Sequence, residues 1–188
     1  MATVDVRGRS TPMILGIVGG ILLVVGTFLN WATATVNWDA IAAVIGKIPV
    51  EVRAQGTARI TGWDIGPGKW MLVTGIVVVI ASALLAISSS AQVVAFVMIF
   101  GGAVGGSMAL YKATVGKDGM IDDAAGVLTG APLPGSLRGY VFLSIGIGIW
   151  LCVLGGAVAV LAGIIAMVRR APSISASTGV GESPSGSS

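Results

Sequence analysis

The residues that could do chemistry in this chain are few and far apart. Asp64 lies in the stretch TGWDIGPGKW, Thr61 to Trp70, between Trp63 and Trp70. Together with Trp38, Trp63 and Asp64 could line a small-molecule, lipid or partner contact, with Asp64 as the ligand-binding carboxylate. No second acid and no histidine stands near Asp64 in sequence to complete an acid–base pair. The simpler reading is a membrane collar, in which Gly62, Gly66 and Gly68 supply turns, the tryptophans sit at an interface and Lys69 reaches toward headgroups or water. Asp118, Asp122 and Asp123 offer three carboxylates on one short segment. A hard cation takes six or more oxygens, so a solvated helix start with acids favoured by the helix dipole is the expected role. The chain has no histidine, and its single cysteine, Cys152, lies in an apolar run. Zinc therefore has no ligand set and an internal disulfide is excluded. No nucleophile and base come as a set, so the expectation is a non-catalytic protein without a metal or cofactor.

The elements that carry these residues are set by composition. Of 188 residues 55% are hydrophobic and only 10% charged, against about 25% charged in a soluble domain. Four apolar stretches, at about 13–29, 70–87, 93–111 and 140–168, contain no Asp, Glu, Lys, Arg or His. Each approaches or exceeds the roughly 18 to 20 residues a helix needs to cross a bilayer, and continuous apolarity argues against alternating barrel strands. The expected fold is an all-α transmembrane protein, an antiparallel four-helix bundle with a small extracytoplasmic β-sheet cap. Residues 1–12 form a cytoplasmic N-terminal segment, 13–170 the membrane domain with outer loops 30–69 and 112–139, and 171–188 a serine-rich, disordered cytoplasmic tail. The fourth stretch is longer than a span requires; it could tilt, begin at the interface near Tyr140 or run past the membrane.

Orientation rests on basic residues. Arg7 and Arg9 precede the first stretch and Arg169 and Arg170 follow the last, which puts both termini in the cytoplasm. Lys47, Arg53, Arg59 and Lys69 in the first long connection and Lys112, Lys117 and Arg138 in the second lean the other way. The termini decide, because the residues flanking the first helix dominate. Trp31, Trp70, Tyr111 and Tyr140 would then form an aromatic belt on the side of the long connections. The first stretch also has a reading as a signal peptide, cleaved after the ATA at Ala32 to Ala34. Basic residues are scattered rather than gathered on one face, so nucleic acid is not an expected partner.

Within the long connections, WATATVNW alternates, DAIAAVIGKI suits a short helix, and VEVRAQGTARITGW reads as two short strands around Gln55-Gly56. GMIDDAAGVLTG suits another short helix. Small residues recur inside the apolar runs at Gly16 and Gly20, at Gly101, Gly102, Gly105 and Gly106, and at Gly155, Gly156, Ala159 and Gly163. In membranes such residues let helix backbones approach closely, within the bundle or toward another subunit. A proton or ion pathway needs ionisable groups inside the membrane, and the spans supply only hydroxyls such as Thr74, Ser82, Ser107 and Ser144.

A first helix ending in GTFLNWATATV, a loop closing on TGWDIGPGKWMLVTGIVVVIASALLAI, and a last helix with GIGIWLCVLGGAVAVLAGIIAMV resemble the uncharacterised small four-helix membrane proteins of actinobacteria. That family has a PWA-like exit from helix one, where this chain has Asn30, and a G-x-D-x-G-x-G approach to helix two. The resemblance implies an architecture and no catalytic residues. In shape alone the pattern is similar to claudin-like proteins, without their disulfide pair. The functional expectation is an accessory or scaffold subunit of the cytoplasmic membrane, in contact with the lipid bilayer and with a membrane-protein partner or a second copy. The alternative is lipid or small-molecule binding between the outer cap and the helices. A signalling role through the serine-rich tail is a third reading.

Overall fold

A computed structural model of the chain describes residues 6–46, 57–85, 87, 91–116, 118–123 and 135–169. In chain order these form α1 (Val6–Phe28), β1 (Asn30–Val36), α2 (Trp38–Ile45), β2 (Thr57–Thr61), a 3-10 turn at Gly62–Asp64, α3 (Gly66–Leu84), α4 (Ala91–Thr114), a helical turn at 118–123, a second 3-10 segment at Gly135–Tyr140, β3 (Val141–Ile145) and α5 (Ile147–Val168). Four helices are long and apolar enough to cross a membrane, over Ser10–Phe28, Gly66–Leu84, Ala91–Thr114 and Ile147–Val168. The first of the two strands expected around Gln55-Gly56, the far part of the second loop and the C-terminal tail lie outside the described residues.

The long helices close on one another in a ring. α1 packs on α3 and α5, and α4 packs on the same two. Contacts run antiparallel: Gly20 of α1 meets Gly75 and Val79 of α3, and Gly26 meets Gly148 and Cys152 of α5. The outward faces stay apolar, with Ile14, Val18, Ile21 and Val25 of α1 and Val93, Phe96 and Phe100 of α4 exposed. Helix bounds differ from the sequence expectation at their ends. α3 begins at Gly66 because Pro67 suits the first helical turn, and α1 reaches back to Val6 through Pro12.

The larger difference is in the last apolar stretch. Hydropathy alone predicts one helix over 140–168; the structure splits these residues into β3, Gly146 and α5. Val141, Phe142 and Ile145 favour extended backbone, and β1 offers a free edge. β3 pairs antiparallel with β1 from Val36–Val141 to Ala32–Ile145. Asn37 N donates to Tyr140 O (3.0 Å) and Gly146 N to Trp31 O (2.7 Å) at the two ends of the ladder. A side chain at Gly146 would collide with the Asn30 carbonyl, so glycine lets the chain leave the sheet edge and enter α5 at once.

β1 is the central strand, with β2 on its other side, also antiparallel. The small antiparallel sheet expected from the sequence is therefore present, built from three strands with β3 as one edge. Its inner face, Ala32, Ala34, Val36, Ala58, Ile60 and Val141, is buried. This face shares one core with Leu23 of α1, Met71 of α3, Ala109 and Ala113 of α4, and Ile149 and Cys152 of α5. α2 lies against the same core through Ile41; the Asn37 side chain caps its N-terminus by accepting from Ala40 N (3.1 Å).

One close helix contact joins α4 to α5. A Cβ on Gly156 would lie 2.6 Å from Gly102 O and from Gly106 Cα, and one on Gly102 would lie 2.7 Å from Gly156 O. Backbone faces backbone there, so neither side can yield. Gly156→Leu or Gly102→Leu is expected to destabilise by about 2 kcal/mol or more, read as a lower melting temperature and altered oligomer size in detergent. Gly66→Ala, which meets nothing within 4 Å, is the matched control and should leave both unchanged.

Candidate functional site

The collar is built where β2 turns into α3. Thr61 ends the strand, and Asp64 Oδ2 accepts from Thr61 N (2.8 Å) and Thr61 Oγ1 (2.7 Å). The carboxylate thus closes the 3-10 turn on its own loop. Gly62 and Gly68 are pressed together, with no room for a side chain on Gly68 against the Gly62 carbonyl. Trp63 is thrown outward, 47% exposed, and stacks on Phe28 of α1 at 5.9 Å between ring centroids and 21° between planes. Lys69 Nζ lies 5.7 Å from the centre of the Trp63 ring, within the range of a cation–π contact. Trp70, one residue on, is 66% exposed.

Trp38 lies apart from this pair. It starts α2, is half-buried and packs against the core beneath the sheet, and its Nε1 is buried with no hydrogen-bond partner among the described residues. The structure thus turns Trp63 to the surface, Asp64 to Thr61 and Trp38 to the interior, and the space between sheet and helices is filled by the shared apolar core.

Trp31, read as part of an interfacial belt, is instead fully buried. The β1–β2 register slips between Asn30 and Ala32, and this bulge turns both Trp31 and Ala32 inward. The indole enters the junction of α1, α5 and the 3-10 turn, where Nε1 donates to Gly26 O (2.8 Å). A Cβ on Gly62 would lie 2.5 Å from Trp31 Cε2, and one on Gly148 would lie 2.7 Å from Cδ1. Two glycines form the slot for one ring. The bulge has no signature in the sequence, and without it Trp31 would point with Thr33 and Thr35.

The acidic cluster is ion-paired. Arg138 Nη2 donates to Asp122 Oδ2 (2.8 Å), and Lys112 Nζ lies 3.5 Å from Asp123 Oδ2. These pairs fasten the 118–123 turn to the end of α4 and to the segment before β3, with Met120 buried beneath. Asp118 is exposed. Among the described residues no three of His, Cys, Asp and Glu come together. Hydroxyls in the helices serve their own backbone: Thr27 Oγ1 donates to Leu23 O (2.9 Å), Thr74 Oγ1 to Met71 O (2.9 Å), Ser82 Oγ to Val78 O (2.6 Å) and Ser107 Oγ to Val104 O (3.2 Å). Ser144 lies in β3, outside the helices.

The small residues singled out in the sequence face partners within the chain. Gly16 meets Ser82 and Met98, Gly20 meets Gly75, Gly101 meets Val78, and Gly105 meets Leu23. Gly102 and Gly106 meet Gly156, Gly155 meets Gly19, Ala159 meets Gly19 and Gly102, and Gly163 meets Ala95 and Ile99. Comparison with known protein families, curated proteins and solved structures gives no match to this chain. The roles of its residues therefore rest on this geometry.

The two kinds of tryptophan are separable by mutation. Trp31→Ala removes a fully buried ring and should cost about 3 to 5 kcal/mol, lowering the melting temperature in detergent steeply. Trp70→Ala, at an exposed position, should change it by no more than about 0.5 kcal/mol. Equal effects would show that Trp31 does not fill the junction.

Proposed function

We propose that this chain is a non-catalytic multi-pass protein of the cytoplasmic membrane, with both termini on the cytoplasmic side, acting as an accessory or scaffold subunit that presents its sheet cap to other envelope proteins. The observation that carries this reading is the division of surfaces. Glycine contacts consume the close-packing faces of α1, α3, α4 and α5 inside the chain, so the helices keep apolar outer faces suited to lipid. The cap keeps a polar outer face in two cross-strand rows, Arg59–Thr33–Ser144 and Thr57–Thr35–Phe142.

Phe142 is 64% exposed in that face. An exposed aromatic among threonines, with an arginine in the next row, has the composition of a binding patch. The carboxylates of Asp64, Asp122 and Asp123 are held by Thr61, Arg138 and Lys112, and the hydroxyls of Thr74 and Ser82 by their own helix carbonyls, which supports a role without chemistry. Arg169 at the end of α5 and Arg7 and Arg9 in α1 lie at the helix ends opposite the cap, in keeping with cytoplasmic termini. The resemblance to small actinobacterial four-helix membrane proteins fits the same reading.

Purification of the C-terminally tagged protein from its native membrane in mild detergent, followed by mass spectrometry, tests it. A companion chain in fixed stoichiometry is expected, lost in Phe142→Arg while the melting temperature stays within about 2 °C of wild type, as for a surface substitution. A chain that purifies alone from the membrane fraction contradicts the accessory role. The intact mass should retain α1, because cleavage after Ala34 would cut the central strand between its paired neighbours.

A further inference from the structure

Four aromatic side chains stand at one height around the long helices. Phe28 of α1, Trp70 of α3, Tyr111 of α4 and Trp150 of α5 are each more than half exposed. Their heights follow from the close antiparallel contacts. Gly26 of α1 faces Gly148 and Cys152, which bracket Trp150 and set it level with Gly26, about 3 Å farther from the cap than Phe28. Gly20 faces Gly75 and Val79 of α3, and Gly75 faces Leu23 and Val24. Counted on from there, Trp70 comes level with the turn that holds Gly26 and Phe28. Gly102 of α4 faces Gly156 and Val160, and Gly163 faces Ala95 and Ile99, so the same count brings Tyr111 within about one residue of Trp150.

That height divides two kinds of surface. Away from the cap, residues 11–28, 70–87, 92–111 and 150–168 carry no charged side chain. Gln92 to Tyr111 rises about 29 Å and Trp150 to Val168 about 27 Å, close to the ~30 Å of hydrocarbon in a bilayer. Toward the cap, charges begin one residue on, with Lys69 and Lys112. Because α1 and α4 each pack on both α3 and α5, the four aromatic rings look out on four sides of the molecule. A protein partner covers one side. An apolar surface that ends at one height on all four, with aromatic rings along its edge, fits the boundary of a bilayer.

We propose that Phe28, Trp70, Tyr111 and Trp150 meet the headgroup boundary of the bilayer on the cap side, so that hydrocarbon ends at this ring and the apolar side chains of Val115 and Ile147 beyond it stand among headgroups and water. Two members of the belt expected from the sequence drop out, since Trp31 is buried and Tyr140 half-buried before β3. Trp150, inside the long apolar run, takes their place. This boundary rests on the membrane reading above and adds a depth to it.

The full chain, with the buried Cys152 left in place, carries one nitroxide-labelled cysteine at a time and is reconstituted in phosphatidylcholine vesicles. Val115→Cys and Ile147→Cys lie about one turn to the cap side of Tyr111 and Trp150, and Val77→Cys and Leu154→Cys lie on the other side of the ring, all at exposed positions. Power-saturation EPR compares relaxation by a water-soluble nickel chelate with relaxation by oxygen, which enters hydrocarbon. Labels at 115 and 147 are expected to be open to the chelate, and labels at 77 and 154 to lose that access and respond to oxygen. Size exclusion establishes that each variant is folded, and two positions on each side keep the test intact if one is lost. Loss of chelate access at 115 or 147, with 77 and 154 in hydrocarbon, overturns the boundary and leaves the membrane reading standing. Chelate access at 77 or 154 also overturns the boundary, and access at all four positions refutes the membrane reading itself.

Discussion

Close approach of backbone to its neighbours, permitted where a side chain is missing, is the constraint on which this structure depends. It shapes the junction around Trp31. The indole fills the joint between α1, α5 and the sheet because Gly62 and Gly148 leave a slot one ring wide and the Gly26 carbonyl receives its N–H. The slot in turn fixes the bulge in β1, the 3-10 turn that starts α3, and the approach of α5. The sheet and the cap-side ends of the helices consequently share one core, while a second apolar cluster around Ala81, Leu85, Ala95, Met98 and Ala162 fills the far end of the helices.

The same constraint explains how the four helices hold together. For helices placed in lipid, as proposed above, apolar side chains would gain nothing by leaving their surroundings for one another, and association would rest on van der Waals contact at short range. Gly19 against Gly155, Gly20 against Gly75, and Gly102 against Gly156 provide that contact. Helix hydroxyls satisfy themselves on carbonyls three or four residues back, so the ring is held by shape. Polar variety is left to the cap, whose ion pairs Arg138–Asp122 and Lys112–Asp123 secure its periphery. A molecule organised in this way carries its polar surface on the cap and an apolar surface along the outer faces of the helices.

Much of this architecture is legible in the sequence, because the signals are composition and short-range pattern. The four apolar runs, the short helix after Asn37, the strand at Thr57–Thr61 and the turn chemistry around Asp64 all depend on nearby residues. β3 is hidden for the opposite reason. Val141–Ile145 opens an apolar run that no charged residue interrupts, and hydropathy cannot distinguish a strand that finds a partner more than a hundred residues earlier from the first turns of a helix. Trp31 is misread because a tryptophan at a helix exit normally marks an interface, and the bulge that buries it comes from pairing with β2. Spacing reveals Gly102 and Gly156, but not that they face each other, and it passes over Gly19, Gly26, Gly75 and Gly148, whose partners lie on other helices. For the collar, the sequence shows the turn and the exposed indoles, while the Phe28–Trp63 stack requires the fold.

The central claim is that α1, α3, α4 and α5 cross the membrane and carry the cap on the face opposite the two termini. Site-specific labelling tests it most directly. Thr35→Cys in the exposed face of β1 and Ser183→Cys in the tail are compared in intact cells with a membrane-impermeant maleimide, with the buried Cys152 as an unreactive background. The account predicts labelling at position 35 in intact cells and at position 183 only after permeabilisation. Labelling of both positions in intact cells, or of position 35 only after permeabilisation, would contradict it.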